Sequence, residues 1–121
     1  MSDIYLSVII PCFNEERNIR LGALENVTHF LSQKDYSWEV VIVDDGSSDD
    51  SRKLVNQFIA EHKRFSLTAR KHQGKAAAVT AGVLRASGRY ILFTDLDQAT
   101  PISQVDKLLP LFAKGYGIVI G

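Results

Sequence analysis

Four short apolar runs, each bounded by polar or turn-forming residues, constrain this chain most. They are Leu6-Ser7-Val8-Ile9-Ile10, Glu39-Val40-Val41-Ile42-Val43, Tyr90-Ile91-Leu92-Phe93-Thr94 and Ile118-Val119-Ile120. A strand solvated on one face alternates apolar and polar residues, whereas a strand covered on both faces reads as a near-continuous apolar run. These segments therefore predict buried strands, with a shorter one at Phe65-Ser66-Leu67-Thr68 and the first ended by Pro11. Helical spacing fills the intervals. Glu16 to Leu31 carries Ile19, Leu24, Val27, Phe30 and Leu31, and predicts one helix. Leu54, Val55, Phe58 and Ile59 form the apolar face of a second helix, capped by Ser48 or Asp49. Lys75 to Ala86 is an Ala-rich third, and Pro101 can open a fourth through Leu108, Leu109 and Phe112. Strand-helix alternation of this kind predicts an α/β fold, a mostly parallel open sheet with helices on both faces. Its 121 residues suffice for a single domain, and no repeat or linker divides it.

Charge narrows the partners. Lys plus Arg and Asp plus Glu number 14 each, so the balance offers no electrostatic case for nucleic acid or an anionic membrane surface. The single cysteine, Cys12, cannot form an internal disulfide and fits a reducing compartment. The N-terminus lacks the basic flank of a signal peptide, and no apolar stretch approaches the ~20 residues of a membrane helix. The chain is accordingly expected to be soluble and cytoplasmic, with any membrane association belonging to a longer parent protein. The C-terminal strand Ile118-Val119-Ile120 needs cover for its edge. It reads as truncation, or else as an edge that pairs, including within a homo-oligomer.

Ligands of an open parallel sheet bind beyond the carboxyl ends of the strands, where strand order reverses. The unusual polar residues of this chain fall at those ends. Pro11-Cys12-Phe13-Asn14-Glu15-Glu16 follows the first strand, Asp44-Asp45-Gly46-Ser47 the second, and Asp95-Leu96-Asp97 the fourth. Residues two apart on an extended chain point to one side, roughly 7 Å apart. Asp95 and Asp97 in that relation suit a hard cation such as Mg²⁺ or Mn²⁺, which prefers oxygen ligands and bridges to phosphate. The competing reading is an ordinary strand-end turn with a capping Asp before Pro101. Asp44 can accept the N–H of a nucleobase, although Asp, Gly and Ser also favour plain turns. Lys75 beside a helix N-terminus suits a phosphate, but equally suits solvent. Arg70, Lys71 and His72 are expected to face solvent. Cys12 reads as a small buried residue rather than a nucleophile, and His29 and His62 as structural or surface residues.

In combination these segments resemble family 2 glycosyltransferases. Ser7-Val8-Ile9-Ile10-Pro11-Cys12-Phe13-Asn14-Glu15 is similar to the opening motif of that family, and Val43-Asp44-Asp45-Gly46-Ser47-Ser48-Asp49 to its second. Gly74-Lys75 with Ala77, Ala81, Gly82 and Ala86-Ser87-Gly88 resembles the third segment, and Asp95-Leu96-Asp97 takes the place of the metal-binding DxD motif. Within the family, Thr94 to Asp97 with Ala99-Thr100-Pro101, and Gly117 to Gly121, look like polyprenyl-phosphate sugar transferases of the dolichyl-phosphate mannose and glucose synthase type. Ala76 departs from the second glycine common there, and the Ser-Arg pair that usually follows the last segment is missing, which fits truncation.

The resemblance implies a Rossmann-like nucleotide-diphospho-sugar transferase fold of the GT-A type, with residues 1–121 as one nucleotide-sugar-binding domain. It implies an inverting hexosyl transfer from a UDP- or GDP-sugar to an acceptor such as a polyprenyl phosphate. Pro11, Asn14, Glu15 and Asp44 would line the base and ribose pocket, with Lys75 near it or the phosphates. Asp95 would meet the ribose or sugar side and share the metal with Asp97. A non-catalytic donor-binding fragment is the alternative. A haloacid-dehalogenase-type phosphatase, suggested by Phe93-Thr94-Asp95-Leu96-Asp97, needs that motif on its first strand. Dinucleotide-binding and P-loop readings fail because Pro11 to Ile19 holds no glycine and Ala76 follows Lys75 where Ser or Thr belongs.

Overall fold

The structure, a computed structural model, describes residues 4–96 and 118–120. Its elements run β1 (Leu6–Cys12), α1 (Glu16–Arg20), α2 (Ala23–Ser32), β2 (Trp38–Asp44), α3 (Ser51–Ile59), β3 (Phe65–Ala69), α4 (Lys75–Arg85), β4 (Tyr90–Phe93) and β5 (Ile118–Ile120). The strands form one sheet in the order β3-β2-β1-β4-β5, and every neighbouring pair is parallel. The chain steps outward from β1 to β3, then returns across the sheet to β4 on the other side of β1. Strand order therefore reverses between β1 and β4, which makes that crevice the ligand position of such a sheet.

Alternation along the strands assigns the two faces. Val8, Ile10 and Cys12 of β1 and Val40 and Ile42 of β2 pack with Ile19, Leu24, Val27, Leu31 and Val55 from α1, α2 and α3. Ile9, Val41 and Val43 face the other way, onto Ala78 of α4. Helices thus cover both faces, as the unbroken apolar runs require. Helix α4 sits close because residue 82 is glycine: a Cβ there would stand 2.3 Å from Ile9 Cγ2.

Four local expectations change. Strand β1 does not stop at Pro11 but continues through it to Cys12. Ile9 O accepts Thr94 N–H on the β4 side and Cys12 O accepts Asp45 N–H on the β2 side. By alternation Pro11 faces the β4 side, beyond the last β1–β4 pair at Ile9 and Phe93, where no ladder donor is needed. The single helix over 16–31 is two, because Gly22 takes φ +96 and redirects the chain. Helix α3 starts at Ser51 rather than after Ser48 or Asp49; Asp49 Oδ1 instead accepts Ser51 N–H at 2.9 Å. Ala86 lies just past α4 in extended conformation. The helix expected from Pro101 lies outside the described residues. Among the described residues no helix is long and apolar enough to cross a membrane.

Candidate functional site

The loops after β1 and β2 are stitched together at the carboxyl rim. Asn14 adopts φ +53, a left-handed conformation that Asn tolerates better than most residues. Its Oδ1 accepts Ser48 N–H at 2.8 Å, and its own N–H donates to Ser47 Oγ at 3.0 Å. Glu15 N–H donates to Ser51 Oγ at 2.8 Å, and Glu16 N–H to Asp49 Oδ2 at 3.2 Å. Asp50 N–H donates in return to Glu16 Oε1 at 3.2 Å, so amides at the starts of α1 and α3 are satisfied reciprocally. Asn14 serves this scaffold and is not in the wall of the crevice described below.

Asp44 and Asp45 are both buried, yet adjacent strand positions send them to opposite faces. Asp44 continues the face of Val40 and Ile42. Its Oδ2 accepts from Arg52 Nε at 3.1 Å, from Arg52 Nη2 at 2.9 Å and from Ser47 N–H at 3.2 Å. Its Oδ1 is buried without a hydrogen-bond partner among the described residues. Asp45 turns toward α4. Its Oδ1 accepts Gln73 N–H at 3.0 Å and its Oδ2 accepts Gly74 N–H at 2.9 Å, with His72 Nδ1 2.9 Å from Oδ2. Burial pushes the Asp45 carboxyl up, but the Gln73 and Gly74 amides and then His72 outweigh it and hold the group below the usual carboxylate range.

A small cavity of about 180 Å³ lies between the carboxyl ends of β1 and β4, against the start of α4. Pro11, Glu15, Asp45, His72, Lys75 and Asp95 contribute to its wall, with Cys12, Phe13 and Ala78. Lys75 Nζ lies 2.7 Å from Asp95 Oδ1 and donates to Oδ2 at 2.8 Å. Pro11, Glu15, Lys75 and Asp95 therefore meet, as the motifs implied, although Pro11 and Asp95 lie 84 positions apart in sequence. Asp97 lies outside the described residues. A second, more open cavity of about 480 Å³ lies beside the first, lined by Gly46, Ser47, Arg52, Ala69, Arg70, Lys71 and His72. Ser47 and Arg52, the two residues that hold Asp44, belong to its wall.

Asp45 and His72 are the rim residues that motif reading missed. Strand alternation was the available signal for Asp45, because only one of two adjacent acids can face each side. His72 and Lys71 are exposed, as expected, and the His72 ring also stacks on Phe13 with centroids 4.2 Å apart. Arg70 is half-buried instead: its Nη1 donates to Ala77 O at 2.9 Å and its Nη2 donates to Gln73 Oε1. Cys12 is buried, and burial, with Asp44 next, pushes its thiol up to about 12, which excludes a resting thiolate near neutral pH. Asp95 follows the fourth strand of the sheet, not the first as the phosphatase reading requires.

An open parallel sheet with its polar side chains gathered at the order-reversal crevice defines a doubly wound α/β domain. The Glycosyl transferase family 2 pattern matches residues 7–121, and the chain belongs to that family. It is 35% identical over 134 residues to a dolichyl-phosphate beta-glucosyltransferase of Dictyostelium discoideum, covering 100% of this chain and 40% of that protein. It is 39% identical over 119 residues to the dolichyl-phosphate beta-glucosyltransferase of Saccharomyces cerevisiae, covering 93% and 35%. Among solved structures, the mannosyltransferase PcManGT of Pyrobaculum calidifontis in complex with GDP-Man and Mn²⁺ superposes with a TM-score of 0.74. That pair shares 26% identity over 93% of this chain and 33% of the other. The chain thus spans 40% or less of the length of these relatives.

Proposed function

We propose that the parent protein is an inverting hexosyltransferase that passes a hexose from UDP- or GDP-hexose to a polyprenyl phosphate. Residues 1–121 are its donor-holding portion. The observation that carries this reading is the crevice at the β1/β4 reversal, where Pro11, Glu15, Lys75 and Asp95 meet. The printed names of the relatives, dolichyl-phosphate beta-glucosyltransferases, support the acceptor class. The GDP-Man bound to the Pyrobaculum enzyme supports the donor class.

Each residue has a role in this reading. Asp44 Oδ1, buried and without a hydrogen-bond partner among the described residues, accepts the N–H of the base, a contact that relieves the cost of an unmade hydrogen bond. Pro11 and Glu15 border the ribose, Asn14 holds the loop that carries them, and Lys75 meets the diphosphate. Asp95 and Asp97 would hold Mg²⁺ or Mn²⁺. The donor set fits: both oxygens of Asp95 already face one cation, the Lys75 ammonium, and carboxylate oxygens suit a hard metal. Phosphate oxygens of the donor would complete the shell. Once bound, the cation supplies charge stabilisation to the departing nucleoside diphosphate. A lipid phosphate is ionised near neutral pH and attacks without a general base from this rim.

The test is transfer of radiolabelled hexose from UDP-glucose and GDP-mannose to dolichyl phosphate by the full-length parent. Lipid-linked product is expected from one donor, lost in Asp97→Ala and Asp95→Asn. Donor binding without transfer by the full-length protein would leave the non-catalytic binding reading in its place. Binding of neither donor would remove both.

A further inference from the structure

His72 separates the two rim cavities. Among the described residues it is the one in the walls of both the 180 Å³ crevice with Lys75 and the 480 Å³ cavity with Arg52. Its position is set from three sides. The backbone N of His72 lies so close to Gly46 that a Cβ on residue 46 would come within 2.6 Å of it. The ring stacks on Phe13 at 4.2 Å with an interplanar angle of 26°. Its Nδ1 lies 2.9 Å from Asp45 Oδ2 and 3.2 Å from the Asp45 carbonyl oxygen. A carbonyl oxygen and an ionised carboxylate can only accept hydrogen bonds, so Nδ1 carries the hydrogen. In the neutral ring Nε2 is then an acceptor with a fixed direction.

We propose that His72 is a specificity-determining residue for the ribose of the donor: Asp45 fixes its tautomer, Phe13 fixes its ring, and its Nε2 accepts a hydrogen bond from a ribose hydroxyl. The proposal rests on the donor reading above. A nucleoside diphosphate carries its ribose between base and diphosphate. The cation that suits the diphosphate, Lys75, lines the small cavity. The acceptor that suits a base is Asp44 Oδ1, which has no hydrogen-bond partner among the described residues and belongs to the carboxylate held by Ser47 and Arg52 in the wall of the large one. The ribose therefore falls at the dividing residue. A hydroxyl is the donor group it brings there, and a neutral imidazole nitrogen is a matching acceptor.

Calorimetric titration of the full chain with UDP and GDP, and with their 2′-deoxy and 3′-deoxy forms, tests this in the presence of Mg²⁺. For the nucleotide that binds, one deoxy form is expected to bind about tenfold more weakly to the wild type, the scale of one hydrogen bond. In His72→Ala that ratio is expected to fall to within about twofold of unity. A ratio unchanged in His72→Ala overturns the proposal even where overall affinity drops, as does a wild type that does not discriminate. Histidine side-chain ¹⁵N spectra of the wild type need no variant. The free chain should show the Nδ1–H tautomer of His72, and nucleotide should shift the Nε2 resonance; an Nε2 resonance unmoved at saturation overturns the proposal. Binding without this signature refutes the role of His72 alone. Failure of every nucleotide to bind refutes the donor reading and this proposal together.

Discussion

The two ends of the sheet both bury polar groups, and they do so differently. At the amino end, Ser7 Oγ donates to Glu39 Oε2 at 2.6 Å and accepts Gly88 N–H at 2.7 Å, while Ser87 N–H donates to the same Glu39 oxygen at 2.6 Å. That network is closed. At the carboxyl end, Asp44 Oδ1, Thr68 Oγ1 and Arg70 Nε are buried without a hydrogen-bond partner among the described residues, and left-handed backbone occurs at Asn14, Gly46 and Gly74. Unmade hydrogen bonds and left-handed conformations each cost stability. Among the described residues these groups gather at the end where strand order reverses, the end at which a ligand is proposed.

Asp45→Ala should break the carboxyl end most severely. It leaves the Gln73 and Gly74 amides without their acceptor and should cost roughly 3 kcal/mol in urea unfolding, with loss of nucleotide binding. Asp45 also sets a pH dependence. Its folded value is depressed, so the unfolded chain binds the proton more readily and this contribution is present above the ordinary value of 3.8. It is lost as pH falls through the lower folded value, and Asp45→Asn should flatten the acid limb of a melting-temperature profile.

Gly46→Ala comes next. A Cβ there meets the His72 backbone at 2.6 Å in a chain held at φ +83. About 2 kcal/mol of destabilisation is expected by urea unfolding, together with loss of the His72–Asp45 contact in histidine ¹⁵N spectra. Ser7→Ala sharpens the comparison from the other side. Opening the amino-end network should cost about 1 kcal/mol while leaving nucleotide affinity unchanged by calorimetry; a parallel loss of affinity would mean the two ends do not divide fold from site. The smallest effect concerns Cys12, whose buried thiol should react with iodoacetamide at pH 7 only as the chain unfolds, monitored by mass spectrometry.

Sequence carried the sheet further than it carried the rim. The β-branched runs at Val8-Ile9-Ile10 and Val40 to Val43 were legible because burial on both faces writes itself as unbroken hydrophobicity. Gly22 was not legible as a break, since a helix tolerates an isolated glycine and only its observed φ decides. At the rim, the strand-end motifs named Pro11, Glu15, Lys75 and Asp95, which the structure brings to one crevice. They did not separate Asp44 from Asp45, which needs the exact strand register. They also missed His72, whose partner Asp45 is 27 residues away and whose ring stack on Phe13 follows from no local pattern.

The most direct test of the division between the two ends is an amide ¹H–¹⁵N NMR titration of the chain with UDP and GDP in Mg²⁺. Saturable shifts are expected for one nucleotide at Asn14, Gly46, Gln73, Gly74 and Lys75, with Ser7, Ser87 and Gly88 unmoved. Shifts centred on the amino end, or none at saturating nucleotide, would contradict that division.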